Sequence, residues 1–509
     1  MSRSVGEATS ILPLDLVDLD DEAVSDGRSS RTWRALDVRS RQVANALLAL
    51  GLTAGDRFAV LMRNRTEWVD IILGNLLAGT EYVPVNWRLS PAEVAHLIAD
   101  SGATVLVHDG QNADSAAAVG AIHPALRLID VDSEWNRLVS SMSEQYHAGE
   151  AAGGVLLYTG GTTGLPKAVI RSEVRSVPLA DFPEFNRHNA VGVWHFPTGP
   201  GAHLVVCPMH HSAPPGLMTY SIFLGQRVHI LDRFDPESTL AAIEREQISV
   251  LVMVPTQIVR MLRLPEEVRR RYDVSTLRYV VHGAAPCPQW ARRELIEWFG
   301  RVVWEYYGAV EGTGPFLCSA DEFLARPGTV GRPPSHFEVW VEDEDGRRLA
   351  DGETGALWFR NQRGHPIYQN DPEKTADAVR SDGSYTIGDH GYFDADGYLF
   401  IVDRRTDMIV SGGVNIYPAE IESVLSEHLD VADVAVIGLP DDEWGQRLHA
   451  VVVPERGSAP TPEELDRHCR QRLAGFKCPR SFELVSGLAR DESGKLRRRA
   501  VREGVLAQR

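Results

Sequence analysis

The chain reads as an α/β protein, with a large N-terminal domain of α/β layers, a β-rich subdomain and a small α+β domain at its end. Three observations lead there: apolar strands alternate with amphipathic helices from Thr32 onward, the texture turns β-rich near Gly328, and a shorter α/β stretch follows Asp403. Between Thr32 and Asp109 the helical segments SRQVANALLALGL, WVDIILGNLLAG and PAEVAHLIADSG alternate with the strands RFAVLM, YVPVN and TVLVHD. That alternation is the signature of parallel layers. The same rhythm returns at HLVVCPM, QRVHILD, LAAIEREQISVLVMV and LRYVVHG, which carries one α/β body past residue 300. HFEVWVED, GALWFR and GYLFIVD, separated by Gly and Asp turns, make the β-rich part. In the last stretch IYPAEIESVLSEHL and PEELDRHCRQRLAGF read as helices, and VADVAVIGLP and RLHAVVVP as strands. The boundary falls near 403–407, giving domains 1–403 and 404–509.

Composition narrows the function classes. A chain of 509 residues, 43% hydrophobic, can bury more than one core. Its 70 Asp and Glu outnumber 52 Lys and Arg, and a formal charge of -18 repels a polyanion over most of the surface, so no nucleic-acid partner is expected. The acidic cluster from Asp18 to Glu22 reads as a solvated turn. Five cysteines (Cys207, Cys287, Cys318, Cys469, Cys478) lie scattered without a C-x-x-C pair, which argues against a disulfide framework or a zinc site and fits a reducing cytoplasm. The N-terminus lacks a basic, then apolar, leader, and no run of 18 apolar residues occurs, so a soluble cytoplasmic protein with no integral membrane segment is expected. A homodimer is the ordinary prior for a soluble protein of this kind. No G-x-S-x-G elbow occurs, which disfavours a serine hydrolase.

The most specific segment is VLLYTGGTTGLPKAVI, Val155 to Ile170. A strand runs into a loop holding Thr159, Gly160, Gly161, Thr162, Thr163, Gly164 and Lys167. Glycines let several backbone N–H groups converge on an anion, threonine hydroxyls add donors, and lysine adds a compact positive charge, so the natural guest is a polyphosphate. The loop lacks the G-K-[ST] spacing of a Walker A.

YTGGTTGLPKA resembles the YTSGTTGxPKG signature of the adenylate-forming superfamily, which includes acyl-CoA synthetases, firefly luciferase and peptide-synthetase adenylation domains. Further signatures follow in family order over nearly the whole chain. Cys207-Pro-Met-His-His-Ser is similar to the family's P-x-x-H segment, which implies that His211 stands beside the acyl and thiol pocket, although a lone His after a strand is more often a core residue. His282-Gly-Ala-Ala-Pro286 and Glu305-Tyr-Tyr-Gly-Ala-Val-Glu311 resemble the two strand-end loops that hold AMP. The resemblance implies that Gly283, Ala284 and Ala285 line the adenine and acyl sites, that Tyr307 stacks on adenine within the loop Tyr306 to Gly308, and that Glu311 binds Mg²⁺. A carboxylate suits that ion and a flat ring suits a purine. Tyr385-Thr-Ile-Gly-Asp389 and the block after it imply that Asp389 takes the ribose hydroxyls, assisted by Arg404, as two carboxylate oxygens match a vicinal diol. Gly494-Lys495 resembles the G-K motif whose lysine serves adenylation.

The implied activity is an acid:CoA ligase of the acyl-CoA synthetase and fatty-acid–CoA ligase branch. It would use ATP, which ends as AMP, with Mg²⁺ and coenzyme A as co-substrate. Its small mobile C-terminal domain would turn about a hinge in the DRRTD stretch, exchanging Lys495 for the loop at Gly412 and Gly413, whose missing side chains leave a passage for a pantetheine arm. GGVNIYPAEIE and Phe476-Lys-Cys-Pro479 resemble CoA ligases more than carrier-loading domains. Two rival readings are an enzyme that loads a carrier-protein phosphopantetheine and a weakened AMP- or acyl-adenylate-binding module. Gly160, Val310 and Thr406 depart from the family's usual Ser, Thr and Asp or Lys. The first two remove hydroxyls near phosphate, and a hydrogen bond to a charged group is worth about 1.5–3 kcal/mol. The acyl pocket is expected among residues 190–316, with small walls from Ser212 to Gly216 and at Gly283, Ala284, Gly312 and Gly314. Small walls leave room for a hydrophobic acid that is fatty, branched or steroid-like, gaining about 0.8 kcal/mol per buried methylene.

Overall fold

The computed structural model of the chain describes residues 10–146, 149–158, 166–170, 177–362, 364–404, 407–411, 414–441, 444–490 and 494–507. Its largest sheet has eight strands. Six of them run parallel in the order Val303–Tyr307, Tyr279–Gly283, Val250–Met253, Ala202–Val205, Arg227–Ile230 and Glu22–Ser25. The antiparallel strands Phe316–Ser319 and Ser30–Thr32 close the two edges. Continuous apolar runs explain the central position: AHLV, VLVM and YVVHG are buried at every residue, as strands covered on both faces must be.

A second sheet of five parallel strands follows the order Arg127–Asp130, Val105–His108, Arg57–Leu61, Glu81–Pro84 and Gly154–Val155. The two sheets share one apolar cluster, in which Val60 and Val107 join Val205 and Ile230. Within it the helix Glu67–Ala78 is buried along its whole length. Asp70, on that helix, is fully buried and paired with Arg31 at 3.4 Å and Arg39 at 3.0 Å. The helix expected to begin near Ser40 starts earlier, at Trp33, because Thr32 caps it by accepting from the Ala35 N–H.

The β-rich subdomain is an antiparallel five-stranded sheet, ordered Thr329–Gly331, Leu399–Arg404, Asp389–Phe393, Gly355–Asn361 and Phe337–Glu342. Phe316, from the edge of the large sheet, packs into its core beside Phe359 and Tyr385. The C-terminal part has a three-stranded sheet of Val431–Asp441, Gly445–Pro454 and Ser481–Leu484, flanked by the helices Pro418–Ser426, Pro462–Arg470 and Arg498–Ala507. Its apolar clusters draw on residues from Ile409 onward, which supports our proposed division near 403–407. Both helices expected here end sooner than their apolar periodicity suggests. The second stops at Arg470, and a 3₁₀ turn over Gly475–Lys477 leads to Pro479.

Asp70→Ala strips the counter-charge from two largely buried guanidinium groups. It is expected to destabilise the large domain by about 3–5 kcal/mol, read as a fall in the chemical-denaturation midpoint. A change under about 1 kcal/mol would show that water reaches both arginines.

Candidate active site

In a parallel sheet the carboxyl ends of the strands, and the loops that leave them, share one edge, where ligands of α/β proteins bind. Here that edge gathers His211 after Ala202–Val205, Thr256 after Val250–Met253, Ala284 and Ala285 after Tyr279–Gly283, and Gly308 to Glu311 after Val303–Tyr307. Successive strand residues face opposite ways, so Tyr306 and Tyr307 divide the edge into two faces.

On one face the Tyr307 hydroxyl donates to Asp389 Oδ2 at 2.6 Å. Asp389 is buried at the start of its strand, and its register partner across the ladder is Arg404. The sequence-expected ribose and adenine residues therefore meet, although they lie 82 positions apart. Gly283 is required here by close approach: a Cβ would stand 2.4 Å from the Tyr306 carbonyl oxygen and 2.6 Å from its ring. Ala284 follows at φ 67°, a left-handed conformation that a non-glycine residue adopts at some cost. Gly308 is equally tight, as a Cβ would lie 2.7 Å from the Thr313 carbonyl oxygen. Behind these loops the buried Arg292 pairs with Glu305 and donates to the Cys318 carbonyl at 2.8 Å, binding three neighbouring elements together. Burial pushes the Glu305 carboxyl upward and Arg292 opposes it.

A second corner collects charge. Thr159, Gly160, Gly161, Thr162, Thr163 and Gly164 lie outside the described residues, as do Thr406, Gly412 and Gly413. The strands on either side of the first loop, Leu157–Tyr158 and Ala168–Ile170, are antiparallel partners, and Ile367–Tyr368 adds a third strand to them. That third strand carries residues the motif reading missed. The Tyr368 hydroxyl donates to Glu311 Oε1 at 3.0 Å, and the Lys374 ammonium sits 4.0 Å above the Tyr368 ring. Lys167 pairs with Asp371, which also caps the helix Pro372–Ala378. Asp371-Pro372 is legible as a helix start, but nothing in its spacing connects it to Lys167, 204 residues away. Among the described residues no group of three or more His, Cys, Asp or Glu forms a metal cage. One carboxylate beside substrate phosphates is nevertheless what Mg²⁺ takes, because it keeps several waters, and Glu311 fits that donor set.

The other face is more aromatic than the expected small-walled pocket. Tyr306 meets Trp194 edge to face at 5.4 Å, and Trp194 meets Tyr220 at 6.4 Å. Gly216 is exposed and the Tyr306 ring covers Gly283, so neither adds open width to a pocket. The cause is strand alternation, which a list of small residues cannot reveal. His211 stands in the next loop against His210, with ring centroids 4.3 Å apart. Burial and the neighbouring His210 hold it at about 3, so it is neutral at physiological pH. Asn64 fixes this loop: its side chain donates to the carbonyls of Cys207 and Leu231 and accepts from the Met209 N–H at 2.9 Å.

The Gly494-Lys495 turn meets the same edge from the small domain. The preceding Gly494, at φ 76°, is pressed so closely on Thr256 that a Cβ would lie 2.2 Å from its hydroxyl oxygen. Arg490 donates to the Gly494 carbonyl at 2.6 Å and forms a two-point ion pair with Asp433, anchoring the turn to the small domain's own sheet.

A family model described as AMP-binding enzyme matches residues 17–368, and one for the AMP-binding enzyme C-terminal domain matches 420–495. A feruloyl-CoA synthase from Amycolatopsis sp is 34% identical over 487 residues, spanning 94% of this chain and 95% of that protein. A 2-succinylbenzoate–CoA ligase from Geobacillus kaustophilus is 32% identical and spans 94% of each chain. The long-chain-fatty-acid–CoA ligase FadD13 from Mycobacterium tuberculosis is also 32% identical, over 94% of this chain and 93% of its own. Among solved structures, ATP-bound MatB from Rhodopseudomonas palustris, 28% identical, matches with a TM-score of 0.84 over 96% of this chain and 97% of that one. The apo form of MatB, with the same coverage, gives 0.74.

Burial also holds His203 at about 3, so it and His211 stay neutral in the folded chain, whereas the unfolded chain protonates both below roughly pH 6.5. Their contribution to stability is full above that pH and is lost as the pH falls toward 3, at about 1.4 kcal/mol per pH unit for each group. Urea midpoints are therefore expected to drop between pH 7.5 and 5.5, and His203→Gln should flatten part of the slope. A midpoint constant over that range would contradict the neutral burial of both rings.

Proposed function

This chain belongs to the AMP-binding enzyme family of adenylate-forming proteins, and from that premise we propose that it is an ATP-dependent acid:CoA ligase acting on a hydrophobic carboxylic acid. The acid would become an acyl-adenylate with release of pyrophosphate, and then a CoA thioester with release of AMP. The observation that carries the reading is the meeting of the Tyr307–Asp389 pair and the Gly494-Lys495 turn at one edge of the parallel sheet. The CoA ligase relatives, which match over nearly their whole length, support the acceptor.

In the first half-reaction two anions must approach in line, so catalysis is chiefly positioning and charge compensation. Asp389 would hold the ribose hydroxyls, Tyr307 would lie against adenine, and Arg404 would assist. Lys167, paired with Asp371 in the free chain, would exchange that carboxylate for the polyphosphate. Glu311, oriented by Tyr368, would hold Mg²⁺, which would compensate the β and γ phosphates. Lys495 would bridge the acid's carboxylate and the α-phosphate as charge moves to pyrophosphate. A lysine there obstructs a thiol approaching the acyl carbon, so the small domain must turn about 403–407 and present Gly412 and Gly413 instead. The higher match to ATP-bound than to apo MatB supports the view that the present arrangement is the adenylating one.

His211 beside the acyl carbon is neutral and apt to orient rather than to carry charge. The Trp194, Tyr220 and Tyr306 rings favour, within the hydrophobic class, an acid that itself bears rings.

Incubating the protein with Mg-ATP, CoA and a panel of fatty, branched, aromatic and sterol-derived acids is expected to give AMP and one preferred acyl-CoA by mass spectrometry. Acyl-AMP accumulating without acyl-CoA would turn the reading to carrier-protein loading, and no product from any acid would turn it to a binding module. Lys495→Ala should lower acid-dependent ATP–pyrophosphate exchange by about 10²-fold or more, while thioester formation from supplied acyl-AMP falls far less. Equal losses would remove the role assigned to Lys495.

A further inference from the structure

Among the described residues, one cluster of polar contacts that joins the small domain to the large one centres on Arg263. This residue caps the C-terminal end of the helix Pro255–Leu262. Its guanidinium donates to the carbonyls of Val431 at 2.6 Å and Ala432 at 3.1 Å, and it pairs with Glu455. The two carbonyls lie where the small domain's own ladder breaks down. Pro454, opposite Val431, has no N–H to donate, and the register slips between Val431 and Asp433, taking Ala432 out of the pairing. A guanidinium from the other domain thus meets acceptors that the sheet serves poorly, through charge-assisted bonds roughly twice as strong as neutral ones. On the neighbouring helix Gln289–Phe299, Trp290 Nε1 donates to Ser426 Oγ at 3.2 Å.

Thr256, which receives the Gly494 turn, stands at the opposite end of the Arg263 helix. Seven residues of helix span about 10 Å, so one stiff rod grips the small domain at one end and meets the Lys495 turn at the other. Within the small domain, Arg490 ties Gly494 to Asp433, two residues from the Val431 carbonyl. A displacement at Arg263 is therefore passed to Lys495 along short, polar, well-braced links. The grip is also releasable. Arg263 and Glu455 keep 28% and 32% of their side-chain surface exposed, so water can replace each bond as the domains part.

We propose that Arg263 is a domain latch, a positioning residue that holds the small domain in the arrangement where Lys495 lies over the nucleotide site and lets go for the thiol step. This rests on the two-step ligase reading. Arg263 touches no reactant and acts through Lys495. A latch differs from a folding contact because its loss separates the two half-reactions rather than weakening both.

The test compares wild type, Arg263→Ala and Glu455→Gln as full-length chains in two assays. In the first, hydrogen–deuterium exchange with Mg-ATP present, the Arg263→Ala variant is expected to exchange roughly threefold or more faster at residues 430–433 and 494–497, with Glu455→Gln in between and the parallel-sheet core unchanged. In the second, acid-dependent ATP–pyrophosphate exchange should fall roughly tenfold or more in Arg263→Ala, while thioester formation from supplied acyl-AMP and CoA stays level or rises. Unaltered hydrogen exchange at both segments, or equal loss in both half-reactions, would overturn the latch. A wild type inactive with every acid would defeat the ligase reading instead, and the exchange comparison would still decide whether Arg263 holds the domains together.

Discussion

Parallel pairing of the strands in the large sheet is the constraint on which the rest depends. Six strands in one direction need helical crossovers, and those crossovers place every loop that leaves a carboxyl end on the same edge. His211, Thr256, Gly283, Tyr307 and Glu311 are spread over 100 residues of sequence, yet the sheet draws them into one line. Strand alternation then sorts them, sending Tyr307 toward Asp389 and Tyr306 toward Trp194.

Electrostatics gives that edge its chemistry. The charges proposed to act are each held by a partner: Lys167 by Asp371, Glu311 by the Tyr368 hydroxyl, Asp389 by the Tyr307 hydroxyl. Each partner fixes a side chain that would otherwise sample several rotamers, and each can be exchanged for a ligand group of like charge or shape. Behind them the buried Arg292–Glu305 pair adds rigidity. Preorganised polar groups cost no reorganisation at the moment of reaction, which suits a chemistry whose barrier is the meeting of two anions.

The small domain faces the opposite demand under the proposed two-step reaction, which needs it held firmly and then released. Its own cores are complete without the large domain. What crosses between them at Arg263 and Trp290 is polar, and the Arg263–Glu455 pair is partly exposed. An apolar interface of similar size would make either arrangement too costly to leave, whereas bonds to backbone carbonyls can be handed to water.

Much of the fold, and the residues of the proposed site, were legible in the sequence. Strand and helix periodicities identified the layers, and the runs YTGGTTGLPKA, HGAAP, EYYGAVE, YTIGD and GK marked the loops, because local motifs need local chemistry at fixed spacing. The resemblance then supplied the roles proposed for Lys495, Asp389 and Glu311. Tyr368, Asp371, Asn64 and Arg263 escaped, as did the aromatic wall of Trp194, Tyr220 and Tyr306. None of these pairings belongs to a dense motif, and each arises only when segments distant in the chain are packed side by side. The sequence by itself determined which residues we propose to bind a nucleotide and activate an acid, since that proposal rests on side-chain chemistry. Only the tertiary structure decided what orients them, which rings gather around Tyr306 and what holds the domains together, because those depend on distances that register, strand alternation and helix direction create.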